Sequence, residues 1–398
     1  MADRPPTTAR EEATAALLWE ACHRQPDGHA VRSAVERGAD LQRAVVTAVH
    51  QRLAPLLWRA VRSAGLATAL GDAGAQLGEV AKVHRLEGIL LLPHAVATAV
   101  APLTGAGFEP VVLKGPALSA RYPEVGLRPM DDIDLLLPRR FHAPALDALQ
   151  RAGWDVVRRS ARDRYDTVLR HPDVPALVLE LHYGLDAWYE RATALDAEGL
   201  WRRRVEIDCL GTPAFGLPLP EELVMLCTHA AKPYHCFTRL VWIADLAMVL
   251  GHRAEAGLDV DWSAVQAVAR AGRCATPVAA ALTMAAHAGV TAPPGAFPLP
   301  DRGWRASALG ALADPCWPLG GQERPTYHLR YALTDSLVRR FVLLVGSTHG
   351  QPLARSAWWQ VSALEQAARR WWALRGEAPG ATVLSRSPGE TAPAGRHW

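Results

Sequence analysis

Lysine is nearly missing from this chain. Of 43 basic residues only Lys82, Lys114 and Lys232 are lysines. Such a bias fits a GC-rich coding sequence in which exposed lysines drift to arginine. A compact ammonium and a forked guanidinium are not interchangeable near phosphate, so the retained lysines draw attention to Lys114 and Lys232. Charge of one sign is also lacking. The net charge is +3 over 398 residues with no basic block, which disfavours nucleic acid as a partner. The six cysteines are scattered without a Cys-x-x-Cys, which argues against a zinc cluster or a disulfide framework and for reduced, buried thiols. Long uninterrupted apolar runs are missing too. Residues Gly88 to Phe108 and Cys274 to Phe297 are broken by proline, glycine and histidine, and the N-terminus has no apolar core of a signal peptide. The expectation is a cytoplasmic protein with no membrane span.

What is present is ordinary for a globular chain: 49% hydrophobic and 21% charged residues, with length enough for two domains or one large one. The informative stretch is Val111-Val112-Leu113-Lys114-Gly115, a short β-branched run into a glycine turn, followed by Asp131-Asp132-Ile133-Asp134-Leu135-Leu136-Leu137. Strand side chains alternate, so Asp132 and Asp134 share one face while Ile133, Leu135 and Leu137 enter a core, with Asp131 on the opposite face from the pair. Two neighbouring carboxylates repel unless a cation lies between them, and a hard divalent ion with oxygen ligands, Mg²⁺ above all, suits the pair. A third acid, Glu180, sits in the apolar run Leu177-Val178-Leu179-Glu180-Leu181-His182, on the same face as His182.

Along the chain, residues 11–86 carry a helical pattern, with Leu53, Leu56, Leu57 and Ala60 on one inward face. A helix from Arg85 to Val100 is expected to kink or restart at Pro93. Pro116 suits the first residue of a short helix to Tyr122, whose backbone N–H groups beside Gly115 would form an anion site. A helix over Phe141–Ala152, capped by Gly153, and strands at 154–157, 165–170 and 176–183 complete a small mixed sheet. From Ala187 the pattern is mostly helical, with helices at 223–231, 237–250, 261–271, 277–287, 329–345 and 356–374. Residues 293–325 read as a wandering surface segment and 376–398 as disordered. The expected organisation is a helical segment at 1–84, a core at 85–186, a helical domain at 187–375 and a tail at 376–398. His229 and His235 are out of helical phase for a metal pair, so no zinc site is expected there.

A strand ending in a glycine turn, then Asp-x-Asp, then a single later acid resembles the nucleotidyltransferase superfamily of the DNA polymerase β type. Leu113-Lys114-Gly115, Arg128, Asp132 to Leu136, and Glu180-Leu181-His182-Tyr183 are similar to a bacterial branch labelled "nucleotidyltransferase family protein", with Tyr183 where Trp is usual. The resemblance implies an α+β fold: a polymerase-β-like mixed sheet with N-terminal helices and a C-terminal helical domain. It also implies transfer of a nucleoside monophosphate from a nucleoside triphosphate, ATP being the expectation, with release of pyrophosphate. Asp132, Asp134 and Glu180 would be the catalytic acids holding Mg²⁺ or Mn²⁺. Lys114, Gly115, Arg128, His182, His229, Lys232 and Asp245 are nucleotide-site candidates.

Each candidate has a plainer reading. Lys114 could cap its strand, Arg128 could be a solvated loop arginine, His182 a hydrogen-bonded sheet histidine, and Asp245 one half of a helix–helix salt bridge, for example with Arg239. The acceptor, whether small molecule, peptide or protein, has no signature in the sequence. Two other classes stand beside the enzyme: a non-catalytic nucleotide-binding regulator and a toxin–antitoxin-type partner.

Overall fold

Three consecutive apolar residues, Val111–Leu113, form β1, an interior strand of the sheet, wholly buried as a run without alternation should be. A computed structural model describes residues 8–159, 165–175, 177–185, 189, 192–232, 235–320 and 327–337. The remaining strands are β2 (Asp132–Leu136), β3 (Asp155–Arg159), β4 (Asp166–Arg170), β5 (Val178–His182), β6 (Val205–Cys209) and β7 (Thr212–Gly216). Their order is β3-β4-β5-β2-β1-β7-β6. The sheet is mixed: β1 runs antiparallel to β2 but parallel to β7, and β2 runs parallel to β5.

Registration sets the two faces. Asp134 pairs with Glu180 and Leu113, and Leu136 pairs with His182, so these side chains emerge on one face. Ile133, Leu135, Val112, Leu179 and Leu181 emerge on the other and are fully buried. They pack on the second half of a helix running without a break from Gly71 to Gly105, in which the π-helical turn Glu87–Leu91 precedes Leu92–Gly105. Pro93 therefore restarts nothing. It occupies the first turn after the π segment, where a missing N–H costs little. By length and composition this helix could cross a membrane, in contrast to the broken run expected. Its Leu92, Val96, Val100 and Leu103 face the sheet, whereas Val83, Leu86 and Leu90 are exposed.

The helices that precede and follow the sheet share one core. Leu17, Leu18, Leu56 and Leu57 from the N-terminal part pack with Leu223, Ile243, Leu246 and Met248. The first helix, Ala9–Cys22, opens with a capping box in which Thr8 and Glu11 satisfy each other's backbone N–H groups. All six cysteines are buried free thiols. The described residues all fall within one compact unit. The helices expected at 356–374, the disordered tail expected at 376–398, and the part of 329–345 beyond Leu337 lie outside the described residues.

Two expectations need correction. The stretch after Ala187 is not uniformly helical, because β6 and β7 form a hairpin closed by Leu210 (φ 57°) and Gly211 (φ 83°). Two central residues at positive φ are what a two-residue hairpin turn requires, and Leu210 hides that signal since only the glycine is a usual occupant. The segment after Pro293 does more than wander. It forms the helix Gly303–Gly310 and buries Leu312, Cys316 and Trp317, the last donating its indole N–H to Phe237 O at 3.1 Å.

Candidate active site

A cavity of about 440 Å³ lies between the acidic face of the sheet and the helix Leu219–Ala230. Its sheet wall carries Lys114, Asp132, Asp134, Glu180, His182 and Asp166, and its helical wall carries Glu222, Met225, Leu226, His229 and Lys232. The sheet wall follows from strand period and register: β2 offers Asp132 and Asp134, β5 offers Glu180 and His182, and β4 adds Asp166 opposite His182. Glu222, Met225, Leu226 and His229 form a helical stripe at i, i+3, i+4 and i+7, and Lys232 follows just past the helix end.

Asp134 is the pivot. It is 2% exposed, and its Oδ1 accepts from His182 Nε2 at 2.9 Å while Oδ2 is ion-paired with Lys114. His182 Nε2 also stands 3.4 Å from Glu180 Oε2, and Lys114 Nζ stands 4.0 Å from Asp132 Oδ2. Burial raises the carboxyl of Asp134, but Lys114 and His182 overturn that and hold it well below the usual carboxylate range. Burial alone would neutralise His182, yet its hydrogen bonds to Asp134 and Glu180 raise it to about 9. Lys114, opposed by burial, is held firmly charged by Asp134 and Asp132. For Asp132 burial comes first; Lys114 pulls against it, Asp134 and Glu180 push with it, and the result is a raised carboxyl.

Ligand atoms of Asp134, Glu180 and His182 all lie within 4.8 Å of one another, the one such group found among the described residues. His182 Nε2 donates to Asp134 Oδ1 at 2.9 Å and stands 3.4 Å from Glu180 Oε2. A nitrogen that donates cannot ligate at the same time, so the carboxylate oxygens are the ligands this arrangement offers, with His182 as the donor that orients them. Lys114 already places a positive charge against Asp132 and Asp134, so the pair is arranged to hold a cation. The cluster is a candidate site for a metal ion.

The other candidates divide. Gly115 sits at φ 45° after Lys114 at φ 34°, and the short 3₁₀ helix Gly115–Arg121 follows with Pro116 in its first turn. His229 and Lys232 line the cavity. His229 is kept neutral by burial and by the charges of Lys114 and Lys232, and the Lys232 ammonium lies 4.9 Å from the Tyr189 ring centroid. Arg128 and Asp245 do not line the cavity but bind each other at 2.7 and 2.9 Å, and Tyr122 donates to Asp245 at 2.6 Å. That buried ion pair ties the loop leading into β2 to the helix Val241–Glu255. Arg239 was the partner suggested by sequence spacing; Arg128, 117 residues away from Asp245, takes the place.

His229 and His235, out of helical phase with each other, are nonetheless brought together. The helix ends at Ala230, backbone turns at Cys236 and Phe237 fold the chain back, and the two rings stand 4.5 Å apart. Asp166 and Glu222 were overlooked. Asp166, which Arg158 contacts at 2.8 Å, reaches the site only through strand register. Glu222 could have been found from its spacing to His229 on one helical face.

A family model described as an uncharacterised nucleotidyltransferase matches residues 37–288, more than half of the chain and the whole of the cavity described above. No curated protein and no solved structure matches it.

Proposed function

The chain belongs to the uncharacterised nucleotidyltransferase family, and on that premise we propose that it moves a nucleoside monophosphate from a nucleoside triphosphate, ATP first, to an acceptor oxygen. The observation that carries this reading is the convergence of Lys114, Asp132, Asp134, Glu180 and His182 on one wall of a single cavity. Such a wall suits a core of the polymerase-β type. An acceptor hydroxyl oxygen attacks the α-phosphorus, the α–β phosphoanhydride bond breaks, and pyrophosphate leaves. Asp132, Asp134 and Glu180 would hold Mg²⁺ or Mn²⁺, which when bound neutralises phosphate charge and polarises the reacting centre.

The chain's own groups then have separate tasks. Glu180, with its partly exposed carboxylate beside His182, accepts the acceptor's proton. His182 holds the Asp134 and Glu180 oxygens in place. Lys114 and Lys232 meet the phosphates from opposite walls, with the Gly115 turn supplying backbone N–H groups, and neutral His229 donates a hydrogen bond without adding charge. Arg128 and Asp245 act at a distance by fixing the loop before β2. The remaining readings (a cytoplasmic protein acting on a small molecule, peptide or protein) belong to the same proposal.

The test is transfer of α-phosphate label from each nucleoside triphosphate into host extract with Mg²⁺ or Mn²⁺, beside the Asp132→Asn/Asp134→Asn double variant. Metal-dependent label lost in the variant supports the enzyme and names its acceptor class. Equal labelling by the variant, at equal fold content, sinks it. Nucleotide binding without label would turn the reading toward a regulator.

A further inference from the structure

Glu222 stands in the first turn of the helix Leu219–Ala230 and lines the same cavity, yet nothing in the reaction above uses it. Its Oε2 is shut off from solvent and has no hydrogen-bond partner among the described residues. Its side chain makes no ion pair there either, although Arg203 engages its neighbour Glu221 at 2.7 Å. A buried carboxyl without donors is costly, and native structures rarely keep one unless a ligand or water completes it. Burial accordingly raises Glu222 to about 7, against the pull of Arg121 and with the push of Asp245.

It stands on the helical wall of the cavity, across from the strands that carry the reactive acids. Strands β1 and β7 are parallel, so the chain leaves both at the same end of the sheet, and the helix bearing Glu222 begins beside the Lys114–Gly115 turn. The charges acting on Glu222 are Arg121 and Asp245, whereas those on Asp132 are Lys114, Asp134, Glu180 and Arg128. The cavity is also lined by the apolar Leu113, Leu217, Met225 and Leu226. A substrate held between the two walls would thus meet apolar side chains and one more carboxyl. Flat apolar faces with hydrogen-bond donors on one edge describe a nucleobase that bears an amino group.

We infer that Glu222 reads the nucleobase: its carboxyl accepts hydrogen bonds from the exocyclic amino group of a base held between Leu113, Leu217, Met225 and Leu226. This rests on the nucleotidyltransferase reading and extends it to base selection. Triphosphates of adenine, guanine or cytosine are the class taken, and uridine triphosphate is disfavoured because its base has no amino group.

The test is equilibrium binding with Mg²⁺ and no acceptor. The tightest binder among ATP, GTP and CTP is compared with UTP and with its own analogue lacking only the amino group. Inorganic tripolyphosphate reports the phosphate end alone. Wild type should favour the amino-bearing ligand by about tenfold, the worth of a hydrogen bond to a charged partner. Glu222→Met should bring that ratio close to one while leaving tripolyphosphate affinity unchanged. Equal binding of ligand and deamino analogue by wild type overturns the inference without needing any variant to fold. So does tightest binding of UTP, or discrimination retained in Glu222→Met. Wild type that binds neither nucleotide nor tripolyphosphate overturns the underlying nucleotidyltransferase reading, and the inference with it.

Discussion

His182 Nε2 lies 2.9 Å from Asp134 Oδ1, and the other oxygen of that carboxylate faces the Lys114 ammonium. The most buried acid of the Asp-x-Asp strand is therefore held between two cations from neighbouring strand ends. Removing either cation changes what the acid needs from solution.

In metal-free buffer Lys114→Met leaves Asp134 buried with only His182 as counter-charge. The loss expected is about 3 kcal/mol, the low end of what breaking a buried pair costs. Mg²⁺ or Mn²⁺ should restore most of it, because a bound ion supplies the missing charge. Urea unfolding with and without chelator measures both; a variant as stable as wild type in chelator would refute the counter-charge role.

The Arg128–Asp245 pair is buried, with side chains 9% and 1% exposed. Arg128→Met should destabilise by about 3–5 kcal/mol, since Asp245 is then left uncompensated. Arg128→Met/Asp245→Leu should recover much of that loss, and Tyr122→Phe should cost about 1 kcal/mol. Additive losses in this double variant would show that the two residues do not act as a pair.

Glu222 gives a pH signature. Its carboxyl is raised from 4.5 to about 7 by burial. Below pH 4.5 both folded and unfolded chains are protonated there; as pH rises toward 7 the unfolded chain loses the proton first. Stability therefore falls through this window by up to about 3 kcal/mol and then levels. Glu222→Gln should lack that component and exceed wild type at pH 7.5 while matching it near pH 4.5. Parallel stability curves for the two proteins from pH 4.5 to 7.5 would contradict the assignment.

Gly126 lies at φ 82°, and a Cβ there would come within 2.4 Å of Arg85 Cα; a Cβ on Gly88 would meet Gly126 Cα at 2.6 Å. The long helix and the loop before β2 approach through these two glycines. Gly126→Ala should cost more than about 2 kcal/mol, from positive φ and from overpacking together. A melting temperature within a degree of wild type would show that the loop yields freely.

Much of the acidic wall was legible because strand side chains repeat every two residues. That period alone puts Asp132 and Asp134 on one face and Ile133, Leu135 and Leu137 in the core, as observed. Glu180 and His182 follow the same rule. The hairpin β6–β7 was not legible, since its short strands carry Glu206 and Asp208 at exposed positions and its turn opens with leucine.

By itself, then, the amino-acid sequence determined the family, the strand that presents two carboxylates and the later strand that carries the third acid, because each rests on local spacing. Tertiary structure decided which charges meet. It turned Arg128 away from the cavity to Asp245, brought Lys114 against Asp134, closed His229 on His235, and left Glu222 facing the cavity without a donor. Those outcomes depend on burial and on contacts between residues far apart in the chain. Coulomb attraction and desolvation act through space, and no local period in a sequence records them.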